Sequence, residues 1–418
     1  MKNPFRWDGA GSAPSIETHT KRKLEVIKNY LDVYFDTVVP NPATDDLNIT
    51  LVDGFCGGGL YIDGTEHVPG SPLLLLQAVS EATERLNEKR IKPLKVNARF
   101  IFIDINRDHV ESLKRVVMSS EFWDQNKNNI SFITSSFEKA LPDIIQTIKS
   151  KQRVGRSIFV LDQKGYKDVP MTTIQTIFKH LDRAEVLLTF AIDAVLNYLR
   201  EQSSSEQLYQ QFGVNEEFVA FWNEKKDDDE LGRAVTQQVL INKIHSRSGA
   251  QYFTPFMLWS NTDNRWMMLA HMSHHQAARD KMLSVHWDTQ NRFTHIGKGS
   301  LFHLGFDYRN FESRNSLFNF NENDLLKLKN ELENELPREL HSVASSDQQI
   351  NVKDFLAAIG NRTAARNEHI FSALTKLAQE REIEISNKDG RPKRSSTEIK
   401  ISDQIILPQQ RSFFSKIP

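Results

Sequence analysis

The sequence predicts an α/β protein: a doubly wound, Rossmann-like sheet followed by a small winged helix-turn-helix domain. Three observations carry this. Short apolar runs alternate with helical segments between about residues 48 and 188. The runs are almost continuously hydrophobic, as parallel strands buried on both faces must be. After about residue 346 the pattern changes to strand, helix, turn, helix and hairpin.

The first element is an amphipathic helix over 18–38, THTKRKLEVIKNYLDVYFDTV, where Leu24, Ile27, Leu31 and Tyr34 recur at helical spacing behind threonines able to cap. The strand candidates are NITLVDGF, RFIFIDI, ISFIT, SIFVLD and AEVLLTF, with helices over LLLLQAVSEATERLNEK and DHVESLKRVVMSS among them. About residues 196–250 form an insertion of polar helices that contains Trp222 and the charge run KKDDDE at 225–230, which reads as a solvated face. RWMMLAHM (265–272) and RFTHIGKGSLFHLGF (292–306) are expected to supply the last strands of the sheet.

A charged helix, NENDLLKLKNELENEL, then leads to a helix over VKDFLAAI, a turn at Gly360 and Asn361, a longer helix over AARNEHIFSALTKLAQE, and a hairpin of EIEIS with EIKIS. The expected division is an α/β domain over 1–310, a helical connector over 311–345 and a winged helix over 346–418.

With 418 residues, 39% hydrophobic and 26% charged, the chain has the makeup of a soluble multidomain protein. No apolar run approaches the ~20 residues of a membrane span, and MKNPFRWDGAGS lacks the apolar centre of a secretion signal. The lone cysteine, Cys56, excludes an internal disulfide and fits a reducing, cytoplasmic setting. A net charge of −1 gives no global attraction to polyanions, so any nucleic-acid site must be a local patch. Such a patch is expected on the winged helix. Arg366, Asn367 and His369 should face outward from its second helix, and Arg391, Lys393 and Arg394 stand at the hairpin tip. Protein docking is the other reading of that domain.

The candidate ligand site starts at LVDGFCGGGLYIDG, residues 51–64. Asp53 ends the first strand and Gly57, Gly58 and Gly59 follow at the carboxyl edge of the sheet, where open α/β proteins bind ligands. Leu60, Tyr61 and Ile62 do not complete the dinucleotide fingerprint, and no Walker lysine is present. The spacing therefore favours a nucleoside without a pyrophosphate, with S-adenosylmethionine the obvious member of that class. Asp104, at the tip of the next strand, can accept both ribose hydroxyls or cap the helix that follows. Phe55, Gly58 and Ile105 flank these positions and complete the candidate set. After the third strand, Phe137 can stack on an adenine and Ser136 can accept its hydrogen bond. Asp162 ends the fourth strand where the transferred group would lie, and can orient an acceptor nitrogen or oxygen. Lys164 and Tyr166 are further candidates there, or ordinary loop residues. Cys56 has no local base and reads as packing. His271, His274, His275 and His286 lack the HExxH spacing, so no metal is assigned.

These stretches, with GSPLLLLQA, EVLLTFAIDAVLNYL and RWMMLAHMSHHQAARDKMLSVHW, resemble the three-Cys-motif partner protein family, TcmP, over roughly residues 18–310. That resemblance implies a class I S-adenosylmethionine-dependent methyltransferase-like domain, with Asp53, Gly57 and Gly59 at the methionine moiety and Asp104 on the ribose. It also implies a three-Cys-motif, radical-chemistry-like protein as partner. The chain departs from the family where Asp-Pro would follow strand four, since it has Asp162-Gln163-Lys164-Gly165. Two function classes follow. One is a methyltransferase acting on nucleic acid or a nucleic-acid-associated substrate. The other is a non-catalytic adaptor that keeps the fold and binds protein or nucleic acid through its winged helix.

Overall fold

The structure is a computed structural model, and it describes residues 7, 13–88, 90–151, 155–163, 168–191, 220, 231–260, 265–288, 295–296, 317–318, 322–344, 348–394 and 397–408. The chain forms two compact units, residues 1–286 and 287–418.

The N-terminal unit opens with helix α1 (Thr18–Val38), whose bounds match the expected helix. Strand β1 (Asp46–Asp53) follows, then a small antiparallel ribbon of β2 (Leu60–Asp63) and β3 (Glu66–Pro69). Helix α2 (Ser71–Asn87) carries Pro72 in its first turn, where its fixed φ and missing N–H are tolerated. Next come β4 (Lys95–Asp104), α3 (Arg107–Met118), the single turn α4 (Trp123–Asn126), β5 (Ile130–Thr134), α5 (Phe137–Lys151), β6 (Arg156–Asp162), α6 (Met171–His180) and β7 (Ala184–Phe190). Helix α7 (Leu231–Ser248), strands β8 (Tyr252–Ser260) and β9 (Arg265–Ser273) and helix α8 (Gln276–Asp288) complete the series. Of the expected insertion, only residue 220 and residues 231–250 are described; Trp222 and the charge run at 225–230 lie outside.

Seven strands make one sheet in the order β5-β4-β1-β6-β7-β9-β8. The first five are mutually parallel, and β9 enters antiparallel between β7 and β8. This is a doubly wound α/β sheet with one antiparallel strand next to its edge. The strand order reverses beside β1, so the crevice beyond its carboxyl end is where a ligand should sit. Alternate strand residues such as Val52, Ile103, Phe159 and Val186 join α5, α6 and α7 in one buried core. Helices α1 and α2 are tied to each other by Lys28–Glu81 and Arg85–Asp36 ion pairs. Beneath α1, the Tyr30 hydroxyl donates to the buried Glu185, which His271 also approaches at 3.1 Å.

One strand expectation is corrected. The partner of β9 is Tyr252–Ser260, not residues 292–306. Of that later stretch only His295–Ile296 (β10) is described, and it pairs with Leu317–Phe318 (β11) in a separate two-stranded sheet.

The C-terminal unit contains α9 (Glu322–Val343), β12 (Gln349–Asn351), α10 (Val352–Ile359), α11 (Asn367–Gln379), β13 (Glu384–Ser386) and β14 (Gln404–Ile406). Strand β14 pairs with both β12 and β13. The hairpin therefore closes with Gln404–Ile406 rather than EIKIS at 398–402, and α11 starts at Asn367 rather than in the preceding alanines. Asp403 decides the register locally: its carboxylate takes the Lys400 amide at 2.7 Å and Lys393 Nζ at 2.6 Å, turning the chain just before the strand.

Candidate functional site

The loop after β1 stays tied to its neighbours as it leaves the sheet. Gly54 N donates to Val160 O of β6, and Cys56 N to Ile103 O of β4, both at 2.9 Å. Gly57 N then donates to Asp104 Oδ2 at 3.1 Å. Gly57 and Gly59 have φ of +57° and +92°, a conformation a side chain would strain. Gly58 is needed for a different reason. The indole of Trp7 lies directly on it, and a Cβ there would stand 2.1 Å from Trp7 Cγ. Trp7 donates from Nε1 to Leu60 O at 2.5 Å and meets Tyr61 and His109 edge-on, with ring centroids 5.3 and 5.0 Å away. The bulky group that closes on these glycines is thus one of the chain's own.

A cavity of about 640 Å³ opens beside this loop, within the usual volume of small-molecule sites. It collects Phe55, Gly57, Asp104, Ile105, Ser136, Phe137 and Asp162 from the expected set. Asp53, Gly58 and Gly59 do not line it. Lys164 and Tyr166 lie outside the described residues.

Asp104 is poised rather than free. Its Oδ1 accepts the Asn106 amide at 2.8 Å and its Oδ2 that of Gly57, leaving lone pairs on a carboxylate that lines the cavity. It does not cap α3; Asn106 does, accepting the Asp108 amide at 2.9 Å. Ile105 beside it is 77% exposed, an apolar surface at the cavity rim. Phe137 is only 2% exposed, packed against Gly54 and edge-on to Phe159, so most of its ring serves the core.

Asp53 is fully buried, and desolvation pushes its carboxyl up to about 7, against hydrogen bonds from Ser71 and the Phe55 amide that favour the charged form. Burial likewise pushes the Cys56 thiol well up, which suits a packing role.

Sequence reasoning missed several residues of this wall. Lys23 of α1 is buried and forms an ion pair with Asp162. Trp7, Tyr61 and Gln163 also line the cavity, as does His109, whose Nδ1 lies 3.3 Å from Asp104 Oδ1. No local pattern marks the first two: Trp7 is 53 positions from Leu60, and Lys23 is 139 positions from Asp162. The histidine cluster has other employment. His271 Nε2 lies 3.1 Å from Glu185 Oε2, His274 Nε2 lies 3.2 Å from Phe178 O, and His286 stacks on Phe256. Among the described residues no three potential metal ligands converge.

On the C-terminal unit the expected cations split into two groups. The Arg366 guanidinium pairs with Asp288 and Glu368, and His369 is buried at the start of α11 rather than facing outward. Lys393 is engaged by Asp403 and by Glu398 O at 2.6 Å. Asn367 is half-buried in the first turn of α11. Arg391 and Arg394 are exposed, with Lys388 and Lys400 near them in the same wing. The outward face of α11 carries Glu368, Ser372, Lys376 and Gln379, and Lys376 is paired with Glu333.

Residues 305–390 match the family described as the GMT-like wHTH domain. This unit is a winged helix-turn-helix. No curated protein matches the chain. Among solved structures, a Legionella pneumophila protein of family DUF519 aligns at 9% identity with a TM-score of 0.38, over 65% of this chain and 92% of that one. The plantazolicin methyltransferase BamL, solved with SAH, aligns at 14% and 0.27 over 62% and 88%, and the mycolic acid cyclopropane synthase CmaA1, also with SAH, at 11% and 0.25 over 62% and 67%. These alignments are loose, and the strand order carries the fold assignment instead. No described helix is long and apolar enough to cross a membrane.

Proposed function

We propose that this chain binds S-adenosylmethionine in the cavity above β1 and methylates a nucleic-acid or nucleic-acid-associated substrate brought by its winged helix. One observation carries the reading: a nucleoside-sized cavity at the topological switch point brings together Asp104, Ile105, the Gly57 turn and Asp162. The residues fit the ligand. Asp104 offers lone pairs to two ribose hydroxyls and Ile105 an apolar face for the base, with His109 Nδ1 set against the same carboxylate at 3.3 Å. The bound donor would supply a methyl group activated on a sulfonium. The chain's own part is positioning: Lys23 holds Asp162, Asp162 orients the acceptor, and Trp7 with Tyr61 keeps water from the glycine end.

The sequence motifs shared with the three-Cys-motif partner family support a partner protein of that class, and the lone Cys56 supports a cytoplasmic setting. The test is calorimetric titration of S-adenosylmethionine into the full chain, followed by incubation of labelled donor with total RNA, DNA and lysate protein. Saturable binding with label in nucleic acid or its bound proteins is expected. An absence of binding overturns the reading, and binding without transfer to any fraction is the adaptor's result.

A further inference from the structure

Strand β6 ends in an acceptor and a donor that no group among the described residues uses. Asp162 gives Oδ2 to Lys23, whose side chain is 4% exposed, and among the described residues its Oδ1 receives no hydrogen bond. The next residue, Gln163, is fully buried. Its Oε1 accepts the amides of Asp168 and Val169, each at 3.2 Å, which fixes the orientation of the carboxamide. Its Nε2 is then buried with no partner. Buried amide donors are nearly always satisfied, so an orphan beside a cavity marks a missing acceptor. Both residues line the same cavity.

We propose that Asp162 and Gln163 together read the edge of a nucleobase, Asp162 accepting its N–H and Gln163 Nε2 donating to the adjacent carbonyl or ring nitrogen. This deepens the methyltransferase reading and rests on it. The carboxylate oxygen can only accept and the carboxamide nitrogen can only donate, which asks for a ligand with a donor and an acceptor side by side. Nucleobases, carboxamides and hydroxyls have that pairing. The winged helix and its exposed Arg391 and Arg394 favour the nucleobase. On this view Gln163 is a specificity residue.

The test uses the full chain saturated with SAH, titrated with the four nucleosides, with short RNA and DNA oligonucleotides, with a glutamine-bearing peptide and with a simple alcohol, and read by calorimetry and ligand-observed NMR. The key variant is Gln163→Glu, which keeps an acceptor for Asp168 and Val169 but loses the donor. Wild type should bind at least one nucleobase, and the variant should bind it about tenfold or more weakly with SAH affinity unchanged. Asp162→Asn should weaken the same ligand. The proposal is overturned if SAH-loaded wild type binds no nucleobase, binds only the peptide or the alcohol, or if Gln163→Glu binds the base equally well. Failure of SAH itself to bind counts against the cofactor reading alone, and the same comparison is then made on the unloaded chain.

Discussion

The backbone amide of Gly57 donates to Asp104 Oδ2 across 3.1 Å, coupling the turn after β1 to the tip of β4. The same carboxylate therefore shapes the glycine turn and faces the cavity. Replacing Asp104 by Asn should lower S-adenosylmethionine affinity by roughly 10- to 100-fold, the worth of one or two charge-assisted hydrogen bonds. Calorimetry against wild type decides it, and unchanged affinity would remove Asp104 from the ligand's contacts.

Trp7 and Gly58 should behave as one unit. Gly58 has no positive φ, so Gly58→Ala fails for lack of room under the indole. Trp7→Ala should cost about 3 kcal/mol. In that background Gly58→Ala should cost little, and denaturation of the two single variants and the double variant measures the coupling. Additive losses would show that Trp7 does not sit on the loop.

Asp53 gives the protein a pH signature. Its folded carboxyl is raised to about 7 from an ordinary 3.8, so the stabilisation it confers is complete below about pH 4 and is lost as pH rises toward 7. Denaturant unfolding at a series of pH values should show wild type losing on the order of a few kcal/mol across that window relative to Asp53→Asn. A constant difference between the two proteins would count against a buried, neutralised carboxyl.

If the wing grips phosphates, Arg391→Glu with Arg394→Glu should weaken oligonucleotide binding. The log-log salt slope should flatten by about one unit per lost contact. Reversing Arg366 should do much less to that slope, because its charge is already matched by Asp288 and Glu368. A slope indifferent to the wing cations would point to protein docking.

What the sequence disclosed and withheld follows from the range of the interactions. Helix α1 was legible because Leu24, Ile27 and Leu31 repeat at helical spacing, and the parallel strands because burial on both faces leaves unbroken apolar runs. Strand β8 was not. It pairs only with β9 at the sheet edge, and there Pro255 interrupts the run without breaking a ladder. The residues around Asp104 were found because strand ends announce themselves. Trp7 and Lys23 were not, because their partners are remote in sequence. The helix-turn-helix pattern places His369 outward on the second helix, yet it caps its own helix from inside.

The antiparallel placement of β9 has a consequence for synthesis. Strand β7, buried along its whole length, receives its second neighbour only from residues 265–273. A nascent or proteolysed fragment ending near Phe190 would hold five parallel strands and a bare, greasy edge with no lysine or proline to blunt it. Such a fragment should self-associate, and chaperone demand should fall once the closing hairpin emerges.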